Sequence, residues 1–300
     1  MPHRMIHPLA AALLAATLWP SHAGANTLEK VRSSGEIVLG YRPDAVPFSY
    51  VLPNSTEPVG YAIDICKSLV NAIKRETKLP ALRIKYLPVD NKERFPAVAN
   101  GSVDLECGDT TNTRERRDKL DMAFTVPYYV AGTRMLVRTD SKITRIEDMG
   151  GKTIITTKGT TSAGIVKEKE AALMIKIKLL ECEQTTQCFD AVASGKADAW
   201  LMDDIMLYSF RASAPKPENF AVVGKFMSIE PLTVMMRKGD AELKKLVDSE
   251  MKTMVYSQEV ATLYKKWFES PIAPKGLNLR IPMNYLLRDS FKFPSDNVGD

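Results

Sequence analysis

The segment richest in chemistry is Glu106-Cys-Gly-Asp-Thr-Thr-Asn-Thr-Arg-Glu-Arg116. Apolar residues lead into it and helix-forming charges close it, so it reads as a buried strand opening into a helix. Asn112 with Glu115 three positions later is a capping-box pattern, which places the helix start close to Asn112. The unpaired N–H groups of such a first turn, with the helix dipole, favour an anion. Arg116 falls just inside the turn, where its guanidinium can close bidentately on a carboxylate, and Thr111 can add a hydroxyl donor. The same pattern also fits a solvated charged helix, because Arg114, Arg116 and Arg117 need not all face a ligand. Two more arginines stand where a side chain can be held in a fixed direction. Arg42 opens the loop Arg42-Pro-Asp-Ala-Val-Pro-Phe-Ser-Tyr50, which two prolines stiffen. Arg94 begins a short amphipathic helix. Asp203 and Asp204 follow an apolar strand; such a pair commonly caps a helix, and it also offers carboxylates to a cation.

Composition removes several other chemistries. The three histidines are His3, His7 and His22, all within a segment that reads as a secretory signal. That segment has a positive Arg4, an apolar stretch over 9–18, and small residues at Ser21-His-Ala23 or Ala23-Gly-Ala25 for cleavage. Its apolar run is too short for a membrane span, and no later stretch approaches the roughly 20 residues needed. Residues 1–25 are therefore expected to be removed on export to the periplasm, with cleavage near Ala23 or Ala25. The mature chain then has no histidine, which excludes Ser-His and Cys-His nucleophile pairs and histidine-bearing zinc sites. Neither a metal nor a cofactor is expected. The net charge of +5 is spread along the chain and is not the clustered footprint of a nucleic-acid binder. Met149-Gly-Gly-Lys-Thr153 resembles the end of a P-loop but lacks the first glycine at the required distance.

The elements that must position these residues occur twice. Phe95-Pro-Ala-Val-Ala-Asn-Gly-Ser-Val-Asp104 returns as Phe189-Asp-Ala-Val-Ala-Ser-Gly-Lys-Ala-Asp198. Each copy reads as a helix stopped by glycine, then a strand. Upstream, Gly35-Glu-Ile-Val-Leu-Gly40 pairs with Gly151-Lys-Thr-Ile-Ile-Thr156, each a glycine turn feeding a buried strand. Between and around them, helices are expected at 27–34, 61–78, 113–119, 162–172 and 204–212, with strands at 82–86, 133–138, 175–180, 199–202 and 232–237. Residues 241–268 read as one long helical stretch. Such alternation argues for an α/β protein, and two crossings between the halves make both lobes discontinuous. Lobe 1 is expected to be 26–131 plus 229–300 and lobe 2 to be 132–228. A cleft between two lobes is a usual place for a small-molecule site; duplication of a stable core unit is the plainer alternative.

Several motifs taken in order resemble one family. Gly40-Tyr-Arg-Pro-x-x-Val-Pro-Phe-Ser-Tyr50, Gly60-Tyr-x-x-Asp64, Glu106-Cys-Gly-x-Thr-Thr-Asn112, Glu115-Arg116, Gly159-Thr-Thr-Ser162 and Met202-Asp-Asp204 are similar to the family-3 solute-binding proteins of ABC importers. Within that family the chain most resembles the periplasmic glutamate/aspartate-binding proteins, over about 28–279. The resemblance implies the type II periplasmic-binding-protein fold, two α/β lobes joined by two crossover strands. By position it implies that Arg116 grips the ligand α-carboxylate, with Thr111 and Thr161 as further donors, and that Asp203 takes the ammonium. Arg42 and Arg94 match the arginines that hold a side-chain carboxylate, with Asn91 where those relatives have serine. The implied partners are an amino acid and an inner-membrane ABC permease, without nucleic acid; a monomer is expected.

The charges of that set are coherent. A free acidic amino acid has two carboxylates and one ammonium, and three arginines with one aspartate complement it. A binder of neutral amino acids has no reason to bury Arg42 and Arg94, because an unpaired buried charge costs several kcal/mol. Two positions depart from the resemblance: Thr185 stands where relatives place a ligand-contacting histidine, and Asp109, expected to add a negative charge near the amino-group end, where they have serine; both leave amino-acid binding intact and the choice between glutamate and aspartate open. Of the cysteines, Cys182 and Cys188 lie close enough in an exported chain to be expected as a disulfide that stiffens the segment bearing Thr185. Cys66 and Cys107 are expected as buried free thiols. Two other functions suit the same architecture: a periplasmic dehydratase using Asp109 or Glu106 as general acid, and a sensory ligand-binding subunit.

Overall fold

A computed structural model of the chain describes residues 26–298; the signal segment lies outside them. The first half runs α1 (Thr27–Ser34), β1 (Glu36–Tyr41), β2 (Asp44–Ala45), β3 (Ser49–Val51), β4 (Pro58–Val59), α2 (Tyr61–Thr77), β5 (Arg83–Pro88), α3 (Arg94–Ala99), β6 (Leu105–Thr111), α4 (Arg114–Asp118), β7 (Met122–Phe124) and β8 (Tyr129–Arg138). The chain continues through β9 (Thr153–Thr157), α5 (Ser162–Leu173), β10 (Lys178–Cys182), α6 (Thr185–Ala193), β11 (Ala199–Asp203), α7 (Asp204–Ser213) and β12 (Phe220–Val223). It returns along β13 (Ile229–Arg237) to α8 (Ala241–Tyr256), α9 (Glu259–Phe268) and α10 (Tyr285–Ser290).

The strands order as β10-β9-β11-β8-β13-β6-β1-β5, with β12 on β8 and β7 on β13. Within each half the core strands are parallel: β1 with β5 and β6, and β9 with β10 and β11. Within the sheet the halves meet through the antiparallel pairing of residues 129–132 of β8 with 229–232 of β13. From residue 133 onward β8 pairs with β11 instead. The two crossover strands are therefore β8 and β13, and a short ladder carries the sheet from one α/β lobe to the other.

The duplicated segment does the same work in both lobes. Gly101 and Gly195 take left-handed φ values of 80° and 77° and end α3 and the turn after α6. The aspartate closing each copy then clamps the first strand of its lobe. Asp104 accepts from Val38 N at 2.9 Å and Asp198 from Thr153 N at 2.8 Å, while their own N–H groups donate to Val38 O and Thr153 O. A buried carboxylate that receives backbone donors is satisfied locally, which explains why this residue type recurs at the strand entry.

Three expectations are corrected. The 241–268 stretch is two helices, because Gln258 adopts φ 65° between α8 and α9; the bend lets both helices pack against α2 with Val247, Met251, Tyr264 and Phe268 buried. The helix after β6 begins one residue later than the capping-box pattern suggested. Thr113 is its N-cap, accepting from Arg116 N, while Asn112 donates to Asp296 O and accepts from Arg117. Cys66 and Cys107 are not free thiols: they form a disulfide with Cα atoms 6.2 Å apart. Packing of α2 across β6 brings together residues 41 apart in sequence, a proximity that spacing along the chain cannot reveal. Cys182 is bonded to Cys188. Among the described residues no helix is long and apolar enough to cross a membrane.

Candidate functional site

The strand β6 carries Glu106, Asp109, Thr110 and Thr111 and runs to the edge between the lobes. Parallel strands buried on both faces deliver their side chains at their C-terminal ends, where ligands of open α/β sheets sit. Gly108 has a steric role here, since a Cβ at that position would lie 2.7 Å from Arg42 Cγ. From the loop after β1, Arg42 lies across this gap. Its loop is anchored by Phe48, fully buried against Tyr129 at 5.1 Å and Phe268 at 5.7 Å between ring centroids. Arg42 N donates to Ser49 Oγ at 2.9 Å, and Ser49 Oγ donates back to Arg42 O at 3.0 Å. The direction of the guanidinium is thus set by an aromatic cluster and a two-way hydrogen bond.

Asn91, Arg94, Asp109, Thr111, Arg116, Thr160, Thr161, Met202 and Asp203 line one narrow cavity between the lobes. Seven of the nine sequence-derived site residues therefore come together. Arg42 stands behind them, donating through Nη1 to Asn91 Oδ1 and to Asp109 Oδ1 at 3.3 Å, and through Nη2 to Asp44 Oδ1 at 3.2 Å. Thr185 does not join the cavity lining; it is buried at the first position of α6. Met202 and Thr160 line the cavity without having been singled out. Each is adjacent to a residue that was, but an apolar strand residue and a loop threonine carry no signal of their own. The surface concavity bounded by Val46, Ala212 to Pro215 and Ile272 to Leu277 lacks opposed charged groups.

The three arginines differ in how they are compensated. Burial opposes the charge of Arg42, but Asp109, Asp44 and Glu106 overcome it and hold its pKa above the ordinary value. Arg94 Nη1 donates to Thr110 Oγ1 at 2.7 Å and Nη2 to Gly159 O at 3.2 Å, with Asp109 Oδ1 3.7 Å away; burial lowers its pKa. Arg116 has only carbonyl oxygens: Thr111 O at 2.7 Å and Gly159 O at 3.4 Å. Burial, then repulsion from Arg94, brings its pKa down to about 10. It remains a cation at neutral pH, desolvated and without a carboxylate in contact. Both Arg94 and Arg116 stack near the Phe95 ring, at 4.9 and 5.1 Å from its centroid.

On the acid side, burial pushes the Asp203 carboxyl well above the usual carboxylate range, and nearby Glu230, Asp109 and Asp204 push it further. Burial also raises Glu106, which accepts from Thr110 Oγ1 at 2.6 Å and lies outside the cavity lining. The lobes touch across the cleft at few points. Gly159 O receives both arginines, and Gly159 packs so closely on Asn91 that a Cβ would stand 2.6 Å from Asn91 O. At the rim, exposed Lys92 pairs with Glu183 at 2.8 Å.

Two lobes joined by a short ladder enclose a buried set of guanidinium, hydroxyl and carboxyl groups whose chemistry can complement the carboxylate and ammonium of a small zwitterion. The chain belongs to the bacterial extracellular solute-binding proteins, family 3, which it matches over residues 37–270. It is 38% identical over 299 residues to an L-glutamate/L-aspartate-binding protein of Pseudomonas aeruginosa, covering 100% of this chain and 98% of that one. It is 35% identical over 276 residues to a glutamate/aspartate import solute-binding protein of Escherichia coli, covering 92% and 90%. Its structure superposes, with a TM-score of 0.68 and 28% identity over 81% of this chain and 99% of the other, on an ancestral amino acid-binding protein described as a precursor of cyclohexadienyl dehydratase. These relatives share its type II, two-lobed α/β fold.

Proposed function

We propose that this protein captures an acidic amino acid, glutamate or aspartate, in the interlobe cleft and delivers it to an ABC permease from the periplasm. The observation that carries the reading is Arg116, a fully desolvated guanidinium whose protein partners are two carbonyls. A ligand α-carboxylate supplies the counter-charge it lacks, with the hydroxyls of Thr111 and Thr161 alongside. Asp203 receives the ammonium, and an ammonium beside it favours the ionised carboxylate that burial disfavours. Arg94, backed by Arg42 and with Asn91 beside it, lies on the side of the distal carboxylate. Names of the relatives from Pseudomonas aeruginosa and Escherichia coli point to the same ligands and, for the latter, to import. The change of pairing partner along β8 between Gly132 and Thr133 supports lobe limits of 26–131 plus 229–300 and 132–228. The leader at 1–25 and the family's extracellular character support the periplasmic location.

The reading is of a binding protein and not of a dehydratase. Glu106 does not reach the cavity, and Asp109 Oδ1 is engaged by Arg42 at 3.3 Å with Arg94 at 3.7 Å, so it already serves as an ion-pair partner. Calorimetric titration of the refolded, ligand-stripped protein with the twenty common amino acids tests the proposal. Saturable binding of glutamate or aspartate is expected; binding of a basic or aliphatic amino acid in their place would overturn it.

A further inference from the structure

The distal end of the cleft is built differently from a plain dicarboxylate site. Arg42 does not line the cavity; Asp109 does. All of the contacts of Arg42 go to protein acceptors: Asn91, Asp44 and Asp109. Asp109 is thereby interposed between this arginine and the ligand space, with its side chain almost fully buried. Its Oδ1 is held by Arg42 at 3.3 Å and approached by Arg94 at 3.7 Å, which leaves Oδ2 with no protein donor among the described residues. Four ionisable groups line the cavity, two basic, Arg94 and Arg116, and two acidic, Asp109 and Asp203.

If Arg116 and Asp203 take the two ends of the zwitterion, the ionisable groups left for the distal end are a donor, Arg94, and an acceptor, Asp109, with Asn91 beside them. A carboxamide matches that pair: its carbonyl accepts from Arg94 and its amide nitrogen donates to the open Oδ2. A distal carboxylate satisfies Arg94 but sets its second oxygen, an acceptor, against the carboxylate of Asp109, another acceptor. Discrimination at such a buried polar pair rests on whether each group finds its complement.

We propose that Asp109 is the residue that sets distal specificity, extending the ligand class from the acidic amino acids to their carboxamides, glutamine and asparagine. The inference rests on the reading of the cleft as an amino-acid site and concerns only its distal half. With a serine at 109, Arg42 would lose one of its three side-chain acceptors, and the carboxylate that stands between it and the ligand space would be gone.

The test is calorimetric titration with glutamate, aspartate, glutamine and asparagine of the wild-type chain, Asp109→Ser and Asp109→Asn. In the wild type, the better amide is expected to bind within tenfold of the better acid, or more tightly. Asp109→Ser should shift the acid-to-amide affinity ratio at least tenfold towards the acids. Asp109→Asn, which keeps the shape and removes the charge, should shift it the same way and serves if the serine variant fails to fold. Wild-type protein that binds acids more than a hundredfold more tightly than amides would overturn this inference and leave the proposed function standing. A ratio unchanged in both variants would do the same. Failure of all four ligands to bind would overturn both.

Discussion

Replacing Arg116 with alanine separates ligand capture from structural support. The guanidinium is buried and contacts only two carbonyl oxygens, and its pKa is depressed to about 10. A depression of that size corresponds to roughly 3 kcal/mol of desolvation and repulsion, which the more distant Glu230, Asp203 and Glu106 only partly offset. A ligand carboxylate that restores the balance recovers a similar amount, equivalent to roughly 150-fold in affinity. Loss of a buried, hydrogen-bonded charge partner across an interface commonly costs about 2–5 kcal/mol, so both routes lead to a loss of the order of a hundredfold or more. The loss should be shared by every amino acid the protein binds, because all carry the α-carboxylate. Stability should behave in the opposite way. Removing an incompletely compensated buried cation relieves strain, so the ligand-free melting temperature should fall by no more than a few degrees. Calorimetry gives the affinity and thermal unfolding without ligand gives the stability. Near-normal affinity, or a large drop in melting temperature with affinity retained, would refute the argument.

Gly159→Ala places a side chain at φ +74°, with its Cβ 2.6 Å from Asn91 O; the backbone conformation costs about 1–2 kcal/mol, and the clash should hold the lobes apart. At least tenfold weaker binding is expected, and unchanged affinity would show that the lobes do not need this contact. Asp203 has a folded pKa raised by burial, so the fold binds more protons than the unfolded chain between the ordinary carboxylate value and the raised one. Ligand-free stability from this group is therefore present at low pH and lost as pH rises through that window. Asp203→Asn should make the protein more stable at pH 7, and denaturant unfolding at pH 5 and pH 8 should show a smaller pH dependence than in the wild type. Ammonium capture needs the ionised carboxylate, so wild-type affinity should fall as pH drops through the raised pKa. A variant with the same pH profile and the same affinity would contradict this. The Cys66–Cys107 bridge spans 41 residues, for which the chain-entropy relation gives about 4 kcal/mol. Replacing both cysteines with alanine should lower denaturant stability by up to that amount, and a loss under about 1 kcal/mol would argue against the bridge as a main brace of β6.

Local and periodic features were legible in the sequence. The duplicated helix–glycine–strand unit was visible because glycine is needed wherever φ is positive, and because the closing Asp104 and Asp198 serve the same backbone donors in both lobes. Residue type was enough to nominate arginine for carboxylates and aspartate for an ammonium, and seven of those positions line one cavity. What tertiary structure decided was every relation set by packing between distant segments. The approach of α2 to β6 joins Cys66 to Cys107, and no spacing rule reports a distance of 6.2 Å between elements 41 residues apart. The break at Gln258 depends on two helices fitting the same face of α2, which outweighs a continuous helical pattern. Above all, whether Arg42 or Asp109 faces the ligand is a question of depth in the cleft. Both residue types were identifiable along the chain, but only the packed structure puts the carboxylate in front of the guanidinium.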